Sequence, residues 1–237
     1  MRDINPFLSK LIAHRGIHNK YIKENTKEAI KRAISLNIPV EFDVSLTKDN
    51  VVVLCHDSYI KINAKKYEIR EYDYKYLKNF CQTLVTLEEI LNLVKGKIPL
   101  LIELKPYARG NHLQKYTVKL LDEYKGLFAV QSFSTKIVIW FKINRKDYLT
   151  GQLLTSNYKS KIKKIFIYNK VMLLNHFIKP DFLSYNVKGL PNKKVEKFRK
   201  HKPVLGWTIE NKKQLLKCDR YCDNFICNNI EEILEEL

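Results

Sequence analysis

The sequence predicts an α/β protein, a closed (β/α)8 TIM barrel, and three observations carry that prediction. Apolar runs of strand length begin near Leu11, Val40, Pro99, Phe128, Leu149, Phe182, Val204 and Asn224. Amphipathic stretches with helical spacing lie between them. The runs are continuously apolar rather than alternating, as in parallel strands covered on both faces. Eight such strand–helix units suit a closed barrel better than an open doubly wound sheet.

Taken in order, the main helical stretches are ENTKEAIKRAISLN (24–37), TLEEILNLVKG (86–96), NHLQKYTVKLLDEYK (111–125), STKIVIWFKIN (134–144), PNKKVEKFRKH (191–201) and IEEILEEL (230–237). Several open on a side chain able to cap the free amides of a first turn: Asn25 or Thr26, Thr86, Asn111, Ser134 and Asn192. Gly96 stops the second of them.

The gap from Val40 to Pro99 is far wider than the others and must hold something extra. It begins with VEFDVSLTKDNVVVLCHD (40–57), two strand-like runs about the turn cluster Lys48-Asp49-Asn50, so a hairpin is expected. Pairing about Asp49 brings His56 back level with Glu41 to Asp43. The segment that follows, rich in Tyr and Lys, is expected to be a small insertion or lid (58–85) over the mouth of a single barrel domain, 1–237.

Composition bounds the function. A chain of 237 residues with 45% hydrophobic content can bury a substantial core. No run is long enough to cross a bilayer. The first residues, MRDINPFLSKLIAHRG, lack the continuous apolar core of a signal peptide, so a cytoplasmic location is expected. Five cysteines without Cys-x-x-Cys pairs are expected to be reduced structural thiols. A net charge of +18 favours anionic partners, but the lysines are spread along the whole chain. With no nucleic-acid module in view, nucleic acid is not an expected partner. Glycine-rich nucleotide loops are also missing from the sequence.

In a barrel of this kind the working groups lie at the C-terminal ends of strands. Those ends carry His14 and Arg15, then Glu41 and Asp43, then Glu103 and Lys105, while His56 arrives from the hairpin. Residues two apart on a strand point the same way, so Glu41 and Asp43 share a face, as do Glu103 and Lys105. Three carboxylates facing one lumen repel one another unless a cation joins them. They are hard oxygen donors, which fits Mg²⁺ or Ca²⁺ and argues against zinc. Phe133 and Trp207, at two further strand ends, are candidates to line the lumen and pack on a substrate. His18, His112, His176 and His201 have no comparable setting and are assigned to surface or packing.

These residues resemble those of the glycerophosphodiester phosphodiesterases. The resemblance rests on HRG (14–16), ENT (24–26), EFDV (41–44), HD (56–57), TLEEIL (86–91), IELK (102–105), QSF (131–133), LSYN (183–186) and GWTIEN (206–211), in order along almost the whole chain. It implies a phospholipase C-like (β/α)8 barrel that hydrolyses a glycerophosphodiester to glycerol 3-phosphate and an alcohol. By the same resemblance Glu41, Asp43 and Glu103 bind a divalent cation, and His14 and His56 are general acid and base. Arg15 and Lys105 hold and neutralise the phosphate. The sequence departs from the family at Lys48-Asp49-Asn50, where Asp-Gly is usual, at SYIKIN (58–63), and at FICNN (225–229), where Thr-Asp is common. None of these removes a proposed ligand or base.

Two other readings are carried forward. One is a phospholipase D-like barrel acting on lysophospholipids in peripheral contact with an anionic membrane, docked through KSKIKKIFIYNKVMLLNHFIK (159–179). The other is a basic, non-catalytic binding protein, which predicts steeply salt-dependent binding.

Overall fold

The computed structural model describes residues 3–155 and 177–237. Eleven strands are described: β1 (Ile12–His14), β2 (Val40–Leu46), β3 (Val52–Leu54), β4 (Tyr59–Ile62), β5 (Lys65–Glu68), β6 (Leu100–Leu104), β7 (Phe128–Ser132), β8 (Leu149–Leu154), β9 (Phe182–Asn186), β10 (Val204–Ile209) and β11 (Asn224–Cys227). The helices are α1 (Lys27–Ser35), α2 (Tyr74–Phe80), α3 (Leu87–Val94), α4 (His112–Leu121), α5 (Thr135–Asn144), α6 (Lys193–Arg199), α7 (Lys212–Cys218) and α8 (Ile230–Glu236). The main sheet runs β1-β11-β10-β9-β8-β7-β6-β2-β3, with β1 also paired to β2. That is the strand order of a closed eight-stranded parallel barrel, with β3 added as an antiparallel arm. The eight barrel strands begin at or within a residue of the expected positions.

Two compact units divide the chain, Arg15–Phe128 and the pair Met1–His14 with Ala129–Leu237. In the first unit β2 is buried along its whole length. Its parity explains this: Val40, Phe42 and Val44 supply apolar bulk on one face, while Glu41, Asp43 and Ser45 point to the other. Strand β6 pairs with it in parallel and sets Asp43 opposite Glu103. The expected hairpin is present, with Val44 opposite Leu54 and Leu46 opposite Val52, and the Cys55 amide donates to the Asp43 carbonyl at 3.1 Å. Continued one step, that register sets His56 level with Phe42, within the expected span.

The segment after the hairpin is structured. Strands β4 and β5 form a second hairpin, and α2 follows. Val53, Ile60, Ile69, Leu77 and Leu84 give it a small apolar core of its own. Thr86 and Glu89 form a reciprocal capping box at the start of α3, Glu89 N to Thr86 Oγ1 at 3.1 Å and Thr86 N to Glu89 Oε2 at 2.8 Å. Lys95 and Gly96, both left-handed, end that helix. Thr26 rather than Asn25 caps α1.

The second unit holds β1, the remaining parallel strands and α5 to α8. Tyr148, Tyr185, Phe7, Phe141 and Phe182 are its largest fully buried side chains. Asn192 caps α6 as expected, but Asn111, in the first unit, and Ser134 stand at helix starts without a side-chain cap bond. Among the described residues, no helix is long and apolar enough to cross a membrane. Nearly all of the proposed docking stretch, 159–176, lies outside the described residues. All five cysteines are free thiols.

Candidate active site

Glu41, Asp43 and Glu103 each place a carboxylate oxygen within 4.8 Å of the others, and all three are buried. The cause is local. Asp43 and Glu103 are register partners on adjacent parallel strands, and Glu41 lies two residues along on the same face as Asp43. Among the described residues this is the one such cluster of acids, cysteines or histidines.

Two cations stand among the acids. The Lys105 ammonium lies 2.6 Å from Glu103 Oε1 and 2.8 Å from Asp43 Oδ1. Arg15 Nε lies 3.1 Å from Asp43 Oδ2, and its Nη1 donates to Glu24 Oε1 at 2.6 Å. The Arg15 backbone is left-handed, with φ 58°, and its amide donates to Glu41 Oε2 at 3.2 Å. Gly16 follows with φ +80°, and a Cβ there would meet the Ala29 Cβ at 2.8 Å, so the chain turns tightly against α1. Lys105 thus bridges Asp43 and Glu103 as a buried ion pair with both.

Asn25 has a part that its place in the ENT stretch did not specify. Its Nδ2 donates to Asp43 Oδ2 at 3.0 Å, and its Oδ1 accepts from the Asp43 amide at 3.2 Å. A left-handed backbone, φ 55°, aims the side chain this way in place of capping α1. Asp43 is thereby fixed from both ends.

Electrostatics separates the three acids. Burial would raise all of them, and it does raise Glu41 well above the ordinary value, with Asp43 and Glu103 adding repulsion. Glu103 is raised to about 7 by burial against the pull of Lys105. Asp43 goes the other way, to about 2, because Lys105 and Arg15 together outweigh its burial. Lys105 is nearer to Glu103 than to Asp43, yet Asp43 is the lowered one, with Arg15 and then His56 adding to the pull of Lys105. Lys105 itself rises to about 12 despite burial, held by Asp43 and Glu103.

His56 shares this unit. Burial, then Lys105, lower its pKa, while Asp43 pulls it back. Its Nδ1 is 2.8 Å from Asp57 Oδ1. The phenol of Tyr107, two residues beyond Lys105, is raised by burial and feels Lys105, Asp57, Glu103 and Asp43.

In the other unit, His14 ends β1 and is joined by a peptide bond to Arg15. Its Nδ1 is 2.7 Å from Asn228 Oδ1, and the Asn228 amide donates to both carboxylate oxygens of Glu210 at 3.1 Å. An amide oxygen can only accept, so Nδ1 carries the proton, which fixes the tautomer. Trp207 meets Phe133 edge to face, with ring centroids 5.5 Å apart, and its buried Nε1 has no hydrogen-bond partner among the described residues.

The donor set suits a hard dication. Three buried carboxylates within 4.8 Å of one another offer the oxygen ligands such a cation takes, and the repulsion that raises Glu41 and Glu103 is what a cation there would relieve.

The chain is 30% identical over 148 residues to YhdW of Bacillus subtilis (strain 168), a candidate glycerophosphodiester phosphodiesterase; the alignment covers 56% of this chain and 60% of that one. It is 31% identical over 111 residues to a glycerophosphodiester phosphodiesterase of Bacillus altitudinis, covering 41% and 45%. The matched parts thus span about half the length of these relatives. Among solved structures, a glycerophosphodiester phosphodiesterase of Thermotoga maritima is 22% identical with a TM-score of 0.78, covering 96% of this chain and 98% of that one. A phosphodiesterase of Oleispira antarctica, solved with the product sn-glycerol-3-phosphate, is 21% identical with a TM-score of 0.81, covering 98% and 97%. Those likenesses carry the barrel fold. The match to the glycerophosphoryl diester phosphodiesterase family runs over residues 14–232, from the first proposed catalytic histidine into the last helix, and the chain belongs to that family.

Proposed function

We propose that the protein hydrolyses glycerophosphodiesters to sn-glycerol 3-phosphate and an alcohol, with a divalent cation, Mg²⁺ or Ca²⁺, held by Glu41, Asp43 and Glu103. The observation that carries this is the buried acid trio, whose ligand oxygens lie within 4.8 Å of one another. Held by these three carboxylates, a dication would supply charge neutralisation for the phosphoryl oxygens.

The chain's own residues supply the rest. Arg15 and Lys105 stay charged at any working pH and bind the anionic diester. His56, lowered below the ordinary histidine value, is fit to accept a proton from the attacking oxygen, which is either water directly or the neighbouring glycerol hydroxyl followed by water opening a cyclic phosphate. His14, with Nδ1–H held by Asn228, presents Nε2 for the complementary transfer: as the doubly protonated imidazolium it gives the Nε2 proton to the leaving alkoxide and is left as the neutral Nδ1–H form. Trp207, with Phe133 packed against it, offers an apolar wall to the substrate.

The test is release of glycerol 3-phosphate from glycerophosphocholine and glycerophosphoethanolamine, with and without EDTA. Release that stops on chelation and returns with Mg²⁺ or Ca²⁺ is expected. Release indifferent to EDTA overturns the cation assignment, and no release from any glycerophosphodiester overturns the reaction.

A further inference from the structure

A second cavity, of about 380 Å³, lies within the Arg15–Phe128 unit. Its polar walls are Lys48 and Asn50 of the hairpin turn, Arg70 and Glu71, and Arg109 and His112 at the start of α4. Three fixed cations and an imidazole therefore converge on one cleft against a single carboxylate.

None of the Lys48, Arg70, Arg109 or His112 side chains makes a hydrogen bond or ion pair with another described residue. Elsewhere in the chain, exposed and half-buried cations do find acids: Lys27 with Glu89, Lys142 with Asp181, Arg199 with Asp223. The walls are nonetheless held in place by backbone. Lys48 N donates to Tyr72 O at 3.0 Å, Tyr74 N donates to Asp49 Oδ1 at 3.0 Å, and Ile69 N donates to Ser58 O at 2.8 Å. Asn50 turns the hairpin in the left-handed region, with φ 65°. A held, like-charged cleft without partners is a site for an anion.

Position says which anion. The hairpin turn and the loop before α4 are the continuations of β2 and β6, the strands that carry the acid trio. The near wall begins at Leu46, three residues beyond Asp43, or about 10 Å at the rise of a strand. Along the chain only Pro106 and Tyr107 separate Lys105 from Ala108 and Arg109 of the cleft. We infer that the cleft receives a second phosphate carried on the leaving alcohol, so that the enzyme favours glycerophosphodiesters whose alcohol is itself phosphorylated. The inference rests on the reaction proposed above.

A matched pair of substrates tests it: glycerophosphoinositol and glycerophosphoinositol 4-phosphate. The wild-type kcat/KM should be about tenfold higher for the 4-phosphate, as several partly exposed charge contacts would give, and the preference should shrink as salt is raised. The double variant Arg70→Ala/Arg109→Ala should lose the preference while keeping its rate on glycerophosphoinositol. Arg70→Lys/Arg109→Lys should retain part of it. Equal rates on both substrates in the wild type, or an unchanged preference in the alanine variant, overturn the inference. If neither compound is turned over, the reaction fails as proposed, and calorimetric binding still decides the cleft: tighter binding of the 4-phosphate, lost in the alanine variant, sustains it, and equal binding ends it. Binding of anionic vesicles that the alanine variant abolishes, with equal turnover of the soluble pair, would assign the cleft to a lipid surface and also overturn it.

Discussion

The imidazole of His56 is held below the ordinary histidine value by burial and by Lys105, and a bound dication pushes it the same way. A base must be neutral to work, so it is competent above its pKa and inactive below. The acidic limb of kcat/KM is therefore expected below 6.5, the ordinary value. His56→Ala should abolish that limb and lower kcat by roughly two to four orders of magnitude; a mutant with wild-type turnover would clear His56 of the role. Asn228 makes a second prediction at this scale. Asn228→Ala frees the His14 ring and should lower kcat by about ten- to a hundredfold, part of what a general acid supplies. It should also displace the basic limb of the pH profile, a readout that simple loss of folded protein would leave in place. The convergence of the three acids and the level of His56 were legible in the sequence because strand parity and hairpin pairing point to them. Asn25 and Asn228 were not. Asn228 meets His14 across 214 positions, and no periodicity connects residues held in turns.

At the scale of elements, the β2–β3 hairpin shows which local signals suffice. A turn cluster at Lys48-Asp49-Asn50 between two apolar runs fixes the register, and the register fixes the level of His56. Caps are read less reliably. Thr86 and Glu89 form the box their spacing implies, but Asn111 has φ −115° and ψ 24°, which is not the extended backbone that presents a capping side chain. Thr86→Ala should cost about 0.5–2 kcal/mol, visible as a drop in Tm of roughly 2–4 °C per kcal/mol, with catalytic constants unchanged. Gly16→Ala should be worse than its size suggests. It combines a positive φ with contact on both the side chain and backbone of Ala29, in the turn that aims Arg15. Thermal unfolding together with KM for the diester would register both consequences. The insertion was legible as an interruption of the strand–helix rhythm. Its internal hairpin and helix were not, because Tyr and Lys spaced without a clear period favour neither element.

For the molecule as a whole, the acid trio ties stability to pH and to cation. Glu103 has a folded pKa raised from the ordinary 4.5 to about 7, and Glu41 is also raised well above its ordinary value. Each favours folding fully below its ordinary pKa, and that contribution is lost as pH rises through the raised value. Asp43 runs oppositely: lowered from 3.8 to about 2, it contributes above 3.8 and is lost only as pH falls through 2. The cation-free protein should therefore lose stability between about pH 5 and 8, and a dication should restore it. At a hundred times Kd the gain is about 2.7 kcal/mol, or roughly 5–10 °C in Tm for a chain of this size, and the increment should be larger at pH 8 than at pH 6. An increment that does not change with pH would contradict the raised carboxylates. The barrel was legible because eight apolar strands in alternation with helices admit few arrangements.

The central claim is that Glu41, Asp43 and Glu103 jointly hold one dication. Calorimetric titration with Mg²⁺ and Ca²⁺ at pH 7, run in two buffers of different ionisation enthalpy, tests it most directly. The account predicts one saturable site per chain, release of protons from the raised carboxyls on binding, and loss of both in Glu41→Gln and Glu103→Gln. Binding that persists unchanged in those variants, or no binding at all, would contradict it.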